Sequence, residues 1–392
     1  MANSFAIQAL PLYDKYLEYT DWLNHQILPN WFNNGFDDNG ASIESFRGDG
    51  SVALDCVKRS RVQARQMFVI SYAHSRGWTQ IGKQALKRID GFLDSVPRPY
   101  SNDFFPHLLS QEKVVVDKNA DLYDCAFFLL AYAWRFRVFG DTTALKKAEL
   151  LINSIESWLR ADYGGWTEGT YSHDTRRQNP HMHLFEAFMA LYESTYNAKW
   201  LGYAGEMLSL FESRLFDADY QVVREYFTVN WLPHPQKGHI VEPGHAFEWV
   251  WLLDKYSSLT GKPLKHYYEP LYNNAKKHGV FSLNTGHQTI VNSVDLNGER
   301  IDSSQRLWPM TEWIKASLVM AAHNPSIPSF TIDTVNAITS LMTCFSHPNL
   351  AGHYVDKLNA QQEIIDDSMP ASTLYHLVTA HQTLHAYMEE QL

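Results

Sequence analysis

The 392-residue chain is predicted to fold as an all-α (α/α)6 barrel of twelve helices, with long loops and small hairpins at the active-site end. Three observations predict it. Apolar residues recur at helical spacing through twelve segments. The links between them alternate, a few residues after each even-numbered helix and about twenty or more after the odd-numbered ones, and short links join antiparallel neighbours. Polar residues that interrupt the apolar segments fall on even-numbered helices, mostly near the ends where the long loops arrive.

In order, the first helix is expected from Ala9 to Phe32 and the second from Asp55 to Arg76. The third runs from Thr79 to Ser95, the fourth from Ala120 to Phe139, the fifth from Thr142 to Arg160 and the sixth from Pro180 to Tyr196. The seventh spans Ala198 to Leu215, the eighth Gly244 to Leu259 and the ninth Pro263 to His278. The tenth spans Gln305 to His323, the eleventh Ile327 to His347 and the twelfth Pro370 to Gln391. Gly140-Asp141 and Thr260-Gly261-Lys262 are short links with breaker chemistry. Gln221 to Thr228 alternates like a strand, and Gly164-Gly165-Trp166-Thr167 reads as a turn into an aromatic, so small hairpins are expected to rim the cleft. No Gly/Ser linker, charged block or low-complexity tract divides residues 1–392, which are expected to form one catalytic domain.

Lys plus Arg total 33 against 43 for Asp plus Glu, a formal charge of -10 with no basic run, which disfavours nucleic acid or an anionic membrane as the main partner. No run approaches the roughly 20 apolar residues that span a bilayer, and Met1 to Phe5 lacks a signal-peptide pattern, so a cytoplasmic location is expected. Cys56, Cys125 and Cys344 are far apart and each lies in a helical pattern; they read as buried thiols without disulfide or thiolate-zinc spacing. The sequence leaves the oligomeric state open.

Two stretches share one pattern. In Glu242-Pro243-Gly244-His245-Ala246-Phe247-Glu248-Trp249 and in Asn179-Pro180-His181-Met182-His183-Leu184-Phe185-Glu186, a proline precedes a helix in which His and Glu are one turn apart on one face. Arg61 lies in the second helix, Tyr123 and Asp124 early in the fourth, Arg306, Trp308 and Glu312 at the start of the tenth, and His376 in the first turns of the twelfth. The barrel brings them into one cleft. Histidines that titrate near neutrality, each with a glutamate to orient it, suit proton transfer, and an arginine suits oxygens that gain charge when a proton alpha to a carbonyl is removed. A carboxylate-bridged metal site is the competing reading, but such sites use Glu-x-x-His rather than His-x-x-Glu, and an arginine opposes a cation. Glycoside hydrolysis by Glu248 and Glu312 is another, and it leaves the histidines unused.

Pro-His-Met-His183-Leu-Phe-Glu-Ala, Pro-Gly-His245-Ala-Phe-Glu-Trp, Arg306-Leu-Trp-Pro-Met-Thr-Glu312 and Met369-Pro-Ala-Ser-Thr-Leu-Tyr-His376 together resemble the N-acylglucosamine 2-epimerase superfamily, from about Arg61 to the C-terminus. The last of these segments resembles the branch of aldose–ketose isomerases acting on mannose or sulfoquinovose. Many epimerases of the superfamily carry Trp where this chain has Ala64. The resemblance implies an (α/α)6 barrel, metal-independent proton transfer without a cofactor, and a monosaccharide substrate. It makes His245 and His376 the general acid/base pair, His183 an aid to ring opening, Arg61 a ligand for substrate oxygens and Glu248 the partner of His245. Trp308 and Glu312 would line the sugar site, and Tyr123, Glu186 and Arg306 complete the candidate substrate-binding set. The implied reaction interconverts D-mannose and D-fructose, with D-lyxose and D-xylulose as secondary substrates, through a cis-enediol. Mannose/glucose 2-epimerisation, sulfoquinovose isomerisation and a protein-binding scaffold stay open as alternatives, as does which of His245 and His376 removes the C2 proton.

Overall fold

The computed structural model describes residues 2–98 and 103–391. α1 is one rod in three pieces, Ala2–Asp21, the π-helical Trp22–Ile27 and Leu28–Asn34. α2 (Ser60–Ser75), α3 (Gly82–Asp94), α4 (Leu122–Phe139), α5 (Thr142–Leu159) and α6 (Gln178–Thr195) follow. α7 (Ala198–Leu210) runs into a π-helical turn, Phe211–Leu215. Then come α8 (Pro243–Thr260), α9 (Lys265–Gly279), α10 (Leu307–His323), α11 (Pro328–Cys344) and α12 (Leu374–Gln391), the last entered through a 3-10 turn at Ala371–Thr373.

The even-numbered helices touch in the closed order α2, α4, α6, α8, α10, α12 and back to α2. α3, α5, α7, α9 and α11 pack outside α2, α4, α6, α8 and α10, and α1 closes the outer layer against α11 and α12. Sequence pattern dictates this sorting. α4, α6, α8 and α10 are buried along most of their length, as a helix apolar on all sides must be. α3 buries one stripe, Ala85, Leu86, Ile89, Phe92 and Leu93, and leaves Lys83, Lys87, Arg88 and Asp94 outward. Short links turn on left-handed residues, Gly140 at φ 65° and Gly261 at φ 74°, which end α4 and α8 without Cβ strain.

The long loops form a closed collar over the N-terminal ends of the inner helices. Antiparallel pairing joins Lys58–Arg59 to Leu108–Leu109, Thr175–Arg177 to Tyr226–Thr228, Gln305–Arg306 to Lys357–Leu358, and Ser45–Phe46 to Met369–Pro370. Single bridges, Asp121 with Gly169 and Val241 with Val294, complete the circuit. Each inner helix thereby gives an N–H at or just ahead of its start to the neighbouring loop: Ser60 to the His107 carbonyl, Leu122 to Glu168, Gln178 to Glu225, Val241 to Val294, Leu307 to Asp356 and Ala371 to Glu44, at 2.8–3.2 Å. These N–H groups have no partner within their own helix, so the collar satisfies them and fixes where each helix points.

The loop alternation and the rim hairpins agree with expectation, while several helix starts move. α2 begins at Ser60 rather than Asp55, because Glu44 accepts both the Arg59 N–H at 2.6 Å and its Nε at 2.7 Å and holds Lys58–Arg59 in a strand. Cys56 consequently lies in a loop, and only Cys125 of the three free thiols is fully buried. α10 begins at Leu307, which leaves Arg306 on the strand before it. No helix among the described residues is long and apolar enough to cross a membrane.

Candidate active site

Beneath the collar, the first turns of the inner helices carry a continuous run of ring contacts. His245 lies 4.8 Å from Trp308 between ring centroids, and Trp308 lies 5.5 Å from His376. Tyr375 then touches both His376 (4.8 Å) and His183 (5.8 Å), and His183 meets Tyr123 edge-on at 5.1 Å. A cleft of about 470 Å³ opens beside this run, lined by Arg61, Tyr123, Asn179, Tyr226, Arg177 and Lys237 among others. The three histidines are thus gathered at one end of the barrel, with Trp308 between two of them. Gly244 permits this, since a Cβ there would come within 2.6 Å of the Trp308 ring.

Each histidine commits its Nδ1 to carboxylate. His183 Nδ1 is 3.4 Å from Glu186 Oε2, the one-turn pair expected from spacing, and Tyr375 donates its hydroxyl to the same oxygen. His376 Nδ1 is 2.9 Å from Glu312 Oε1, and the other oxygen of Glu312 is 2.5 Å from Lys315 Nζ, both side chains fully buried. His245 departs from expectation. Its Nδ1 is 2.9 Å from Glu225 Oε2 and 3.6 Å from Glu242 Oε2, whereas Glu248 Oε1 sits 3.9 Å from His183 Nδ1 instead. The reason is direction: helical side chains lean toward the N-terminus, and His245, in the first turn, leans out to the loop that carries Glu225. Both oxygens of Glu248 are buried without a hydrogen bond among the described residues.

These surroundings separate the charge states. Burial disfavours a charged His245, but Glu225 and Glu242 outweigh it and push its pKa up to about 10. Burial, with Arg65 and Lys315 added, pushes His376 well below the usual imidazole range. Burial lowers His183 to about 4 despite Glu186. Burial and the neighbouring charge of Glu312 push Glu248 well above the usual carboxylate range. Near pH 7 the site therefore holds one imidazolium, His245, and two neutral imidazoles.

Arg61 gives Nη1 to Asp124 at 2.9 Å, and Asp124 also meets His107 Nδ1 at 2.8 Å. That bond fixes the guanidinium at the cleft wall. Tyr123 also lines the cleft. Arg306 is partly exposed, 3.8 Å from Asp356. Sequence reasoning missed four side chains here. Arg65 is buried, donates to the Ser372 carbonyl and the Tyr123 hydroxyl, and lies 4.0 Å over Phe127. Tyr375, Lys315 and Glu225 are the others. Lys315 carried a usable signal, a single cation inside an apolar helical run, whereas Arg65 stands among Arg61, Gln63 and Gln66, and Glu225 lies in a loop and carried none.

Three donor sets lie within 4.8 Å internally: His107, Asp121 and Asp124; His183, Glu186 and Glu248; Glu225, Glu242 and His245. Each carboxylate set already faces a protein cation, Arg61 on Asp124, the His245 imidazolium on Glu225, and Lys315 acting on Glu186 and Glu248. Donor chemistry of this kind matches ion pairing, and none of the sets is assigned as a metal centre.

A profile described as N-acylglucosamine 2-epimerase (GlcNAc 2-epimerase) matches residues 41–380. A mannose-6-phosphate isomerase of Rhizobium meliloti (strain 1021) is 31% identical over 376 residues, 93% of this chain and 95% of the relative. A D-mannose isomerase of Thermobifida fusca is 25% identical over 282 residues, 66% of this chain and 67% of the relative. The solved structure of a cellobiose 2-epimerase from Spirochaeta thermophila DSM 6192 has the same fold, with a TM-score of 0.85 at 18% identity, covering 97% of this chain and 98% of that one.

Proposed function

The chain belongs to the N-acylglucosamine 2-epimerase family, whose relatives here make it a sugar isomerase or epimerase, and we propose that it interconverts D-mannose and D-fructose, with D-lyxose and D-xylulose as secondary substrates. The choice of mechanism is supported by one arrangement: His245 and His376 both lie against Trp308, and their surroundings push the pKa of the first up to about 10 and that of the second well below the usual imidazole range. Paired groups whose surroundings separate their pKa values are acid and base assignments.

In this reading His183 helps to open the sugar ring. With its Nδ1 hydrogen on Glu312, neutral His376 presents Nε2 as the base and takes the C2 proton, giving a cis-enediol. The proton returns at C1, while His245 moves a proton from O2 to O1, so the product is the ketose with no net gain or loss. Arg61, steadied by Asp124, carries the charge on the enediolate oxygens. Trp308 supplies the face on which the opened sugar lies.

The wall of the cleft favours an uncharged sugar. Arg61 is paired with Asp124 and Arg177 with Glu168, which leaves Lys237 as the lining cation without a carboxylate partner among the described residues. A phosphate or sulfonate would call for more. Free mannose is therefore preferred here over mannose 6-phosphate, the substrate in the name of the Rhizobium meliloti relative, and over sulfoquinovose. The presence of two histidines against Trp308 keeps 2-epimerisation as the second reading, because return of the proton to C2 from the other face needs only a second base.

Purified protein incubated with mannose in heavy water and followed by NMR tests this. Fructose, with deuterium at C1 where the proton exchanges, is expected. Glucose carrying deuterium at C2 would replace isomerisation by epimerisation. Neither product and no exchange would overturn both, and faster turnover of mannose 6-phosphate would overturn the choice of an uncharged sugar.

A further inference from the structure

His245 and His376 make the same first contact and different second ones. Each has Nδ1 2.9 Å from an oxygen of a buried glutamate, Glu225 for one and Glu312 for the other. The second oxygen of Glu312 meets Lys315 Nζ at 2.5 Å, and Lys315 also lies 3.8 Å over Trp251, with both members of the pair fully buried. Among the described residues no lysine or arginine pairs with Glu225. Its Oε2 also accepts from the neutral amide of Gln178 at 3.0 Å, itself held by Trp249 Nε1 at 2.8 Å, and its Oε1 is buried without a hydrogen bond among the described residues. A second carboxylate, Glu242, stands 3.6 Å from the same imidazole nitrogen.

We propose that Lys315 and Glu242 are positioning residues that assign the acid and the base: Lys315 neutralises Glu312 and so keeps His376 unprotonated, and Glu242 adds its charge to Glu225 and so keeps His245 protonated. The inference rests on the isomerase reading and deepens it, by naming what makes two histidines with identical glutamate contacts act in opposite senses. A carboxylate beside an imidazole favours its charged form, and a cation on that carboxylate's far side cancels the effect. Other charged and titratable groups face both centres. Around His376 they are Arg65 from α2, His183 from α6 and Arg306 ahead of α10, with Glu186 and Glu248 near the adjoining Tyr375. Around His245 they are Glu248 and His183, with Arg306 and Asp302 acting on Glu242.

The signs follow from the roles. A base must be unprotonated, so the rate rises with pH through the pKa of His376; an acid must be protonated, so the rate falls through that of His245. In Lys315→Met the Glu312–His376 pair takes up a proton more readily, and the acid limb of the kcat/KM profile for mannose is expected to move up by about one pH unit or more. Lys315→Arg restores it. In Glu242→Gln the alkaline limb moves down by about one pH unit, since each such step corresponds to a tenfold change in protonation. NMR titration of the imidazoles in 15N-histidine-labelled protein reads the same shifts without any turnover. Unmoved imidazole titrations in both variants overturn the inference, whatever the activity. Shifted titrations in a protein that neither isomerises nor exchanges mannose uphold the charge assignment and overturn the isomerase reading. Should Lys315→Met not fold, Glu242→Gln, at the partly exposed start of α8, decides the matter alone.

Discussion

Two groups of buried histidines differ in what their second ring nitrogen does. Deeper in the barrel wall, His381 uses both, Nδ1 at 2.7 Å from the Tyr72 hydroxyl and Nε2 at 2.9 Å from Thr20 Oγ1. His181 is likewise saturated, Nε2 accepting from the Trp166 N–H at 3.1 Å and Nδ1 at 3.3 Å from the Arg177 carbonyl. His183, His245 and His376 at the collar end have Nδ1 beside glutamate, and their Nε2 atoms make no hydrogen bond among the described residues. A saturated ring holds the fold together, while a half-used ring beside a cleft has a nitrogen left for a ligand. The comparison separates His181 from His183, which stand two residues apart on one helix.

Substitution at the two kinds of site breaks or sharpens this division. His376→Asn and His245→Asn are each expected to lower mannose turnover at least about a hundredfold, the usual scale for removal of an acid or base, with little change in melting temperature for His376→Asn. His381→Leu should do the reverse. It leaves the buried Tyr72 hydroxyl without its partner, at a cost of about 2 kcal/mol in urea unfolding, and leaves turnover near the parent value. Equal losses of turnover in all three variants would dissolve the distinction.

A smaller effect lies in the pH dependence of stability. Burial, ahead of neighbouring charges, lowers both His181 and His381 to about 3. The unfolded chain binds a proton at each below about pH 6.5 where the folded chain does not, so stability is lost as pH falls from about 6.5 toward 3, by up to about 1.4 kcal/mol per pH unit for each group. His245 has the opposite sign. Its raised pKa of about 10 gives stability that is present in full below about pH 6.5 and is lost as pH rises toward 10. Urea unfolding at pH 5, 7 and 9 should therefore show a shallower acid loss in His381→Leu and a shallower alkaline loss in His245→Asn; identical slopes in parent and variants would contradict both.

Legibility from sequence followed the range of the forces involved. Helix periods and breakers are local, so the twelve helices and their alternating links could be read, and Gly140 and Gly261 stand where the links were expected. The start of α2 could not, because it is set by Glu44, which reaches Arg59 from the far side of a loop. In the site, the one-turn spacing correctly paired His183 with Glu186 and wrongly offered Glu248 to His245. The same i, i+3 pattern gives different partners because His245 is in the first turn, open to the collar, and His183 is in the second, enclosed by Tyr375, Tyr123 and Phe127. Contacts made by the collar need its circuit of pairings, and no single stretch of sequence contains that circuit.

The finest comparison of the two ends uses one residue type in one role. Asp121 caps α4 at the collar, accepting the Tyr123 N–H at 2.9 Å, and Asp141 caps α5 at the short-link end, accepting those of Thr143 and Ala144 at 3.0 and 3.2 Å. As caps the two are equivalent, and Asp121→Ala and Asp141→Ala should each cost about 1 kcal/mol for the lost cap. Their other contacts differ. Asp141 holds Arg135 against Asp90, away from the cleft, whereas Asp121 accepts from the Tyr171 hydroxyl at 2.9 Å and lies 3.7 Å from Arg177, both cleft-lining side chains. Asp121→Ala should therefore also raise the KM for mannose several-fold, with kcat moved less, while Asp141→Ala leaves both constants unchanged. A raised KM in Asp141→Ala, or an unchanged one in Asp121→Ala, would show that the collar does not confine substrate contacts to its own end of the barrel.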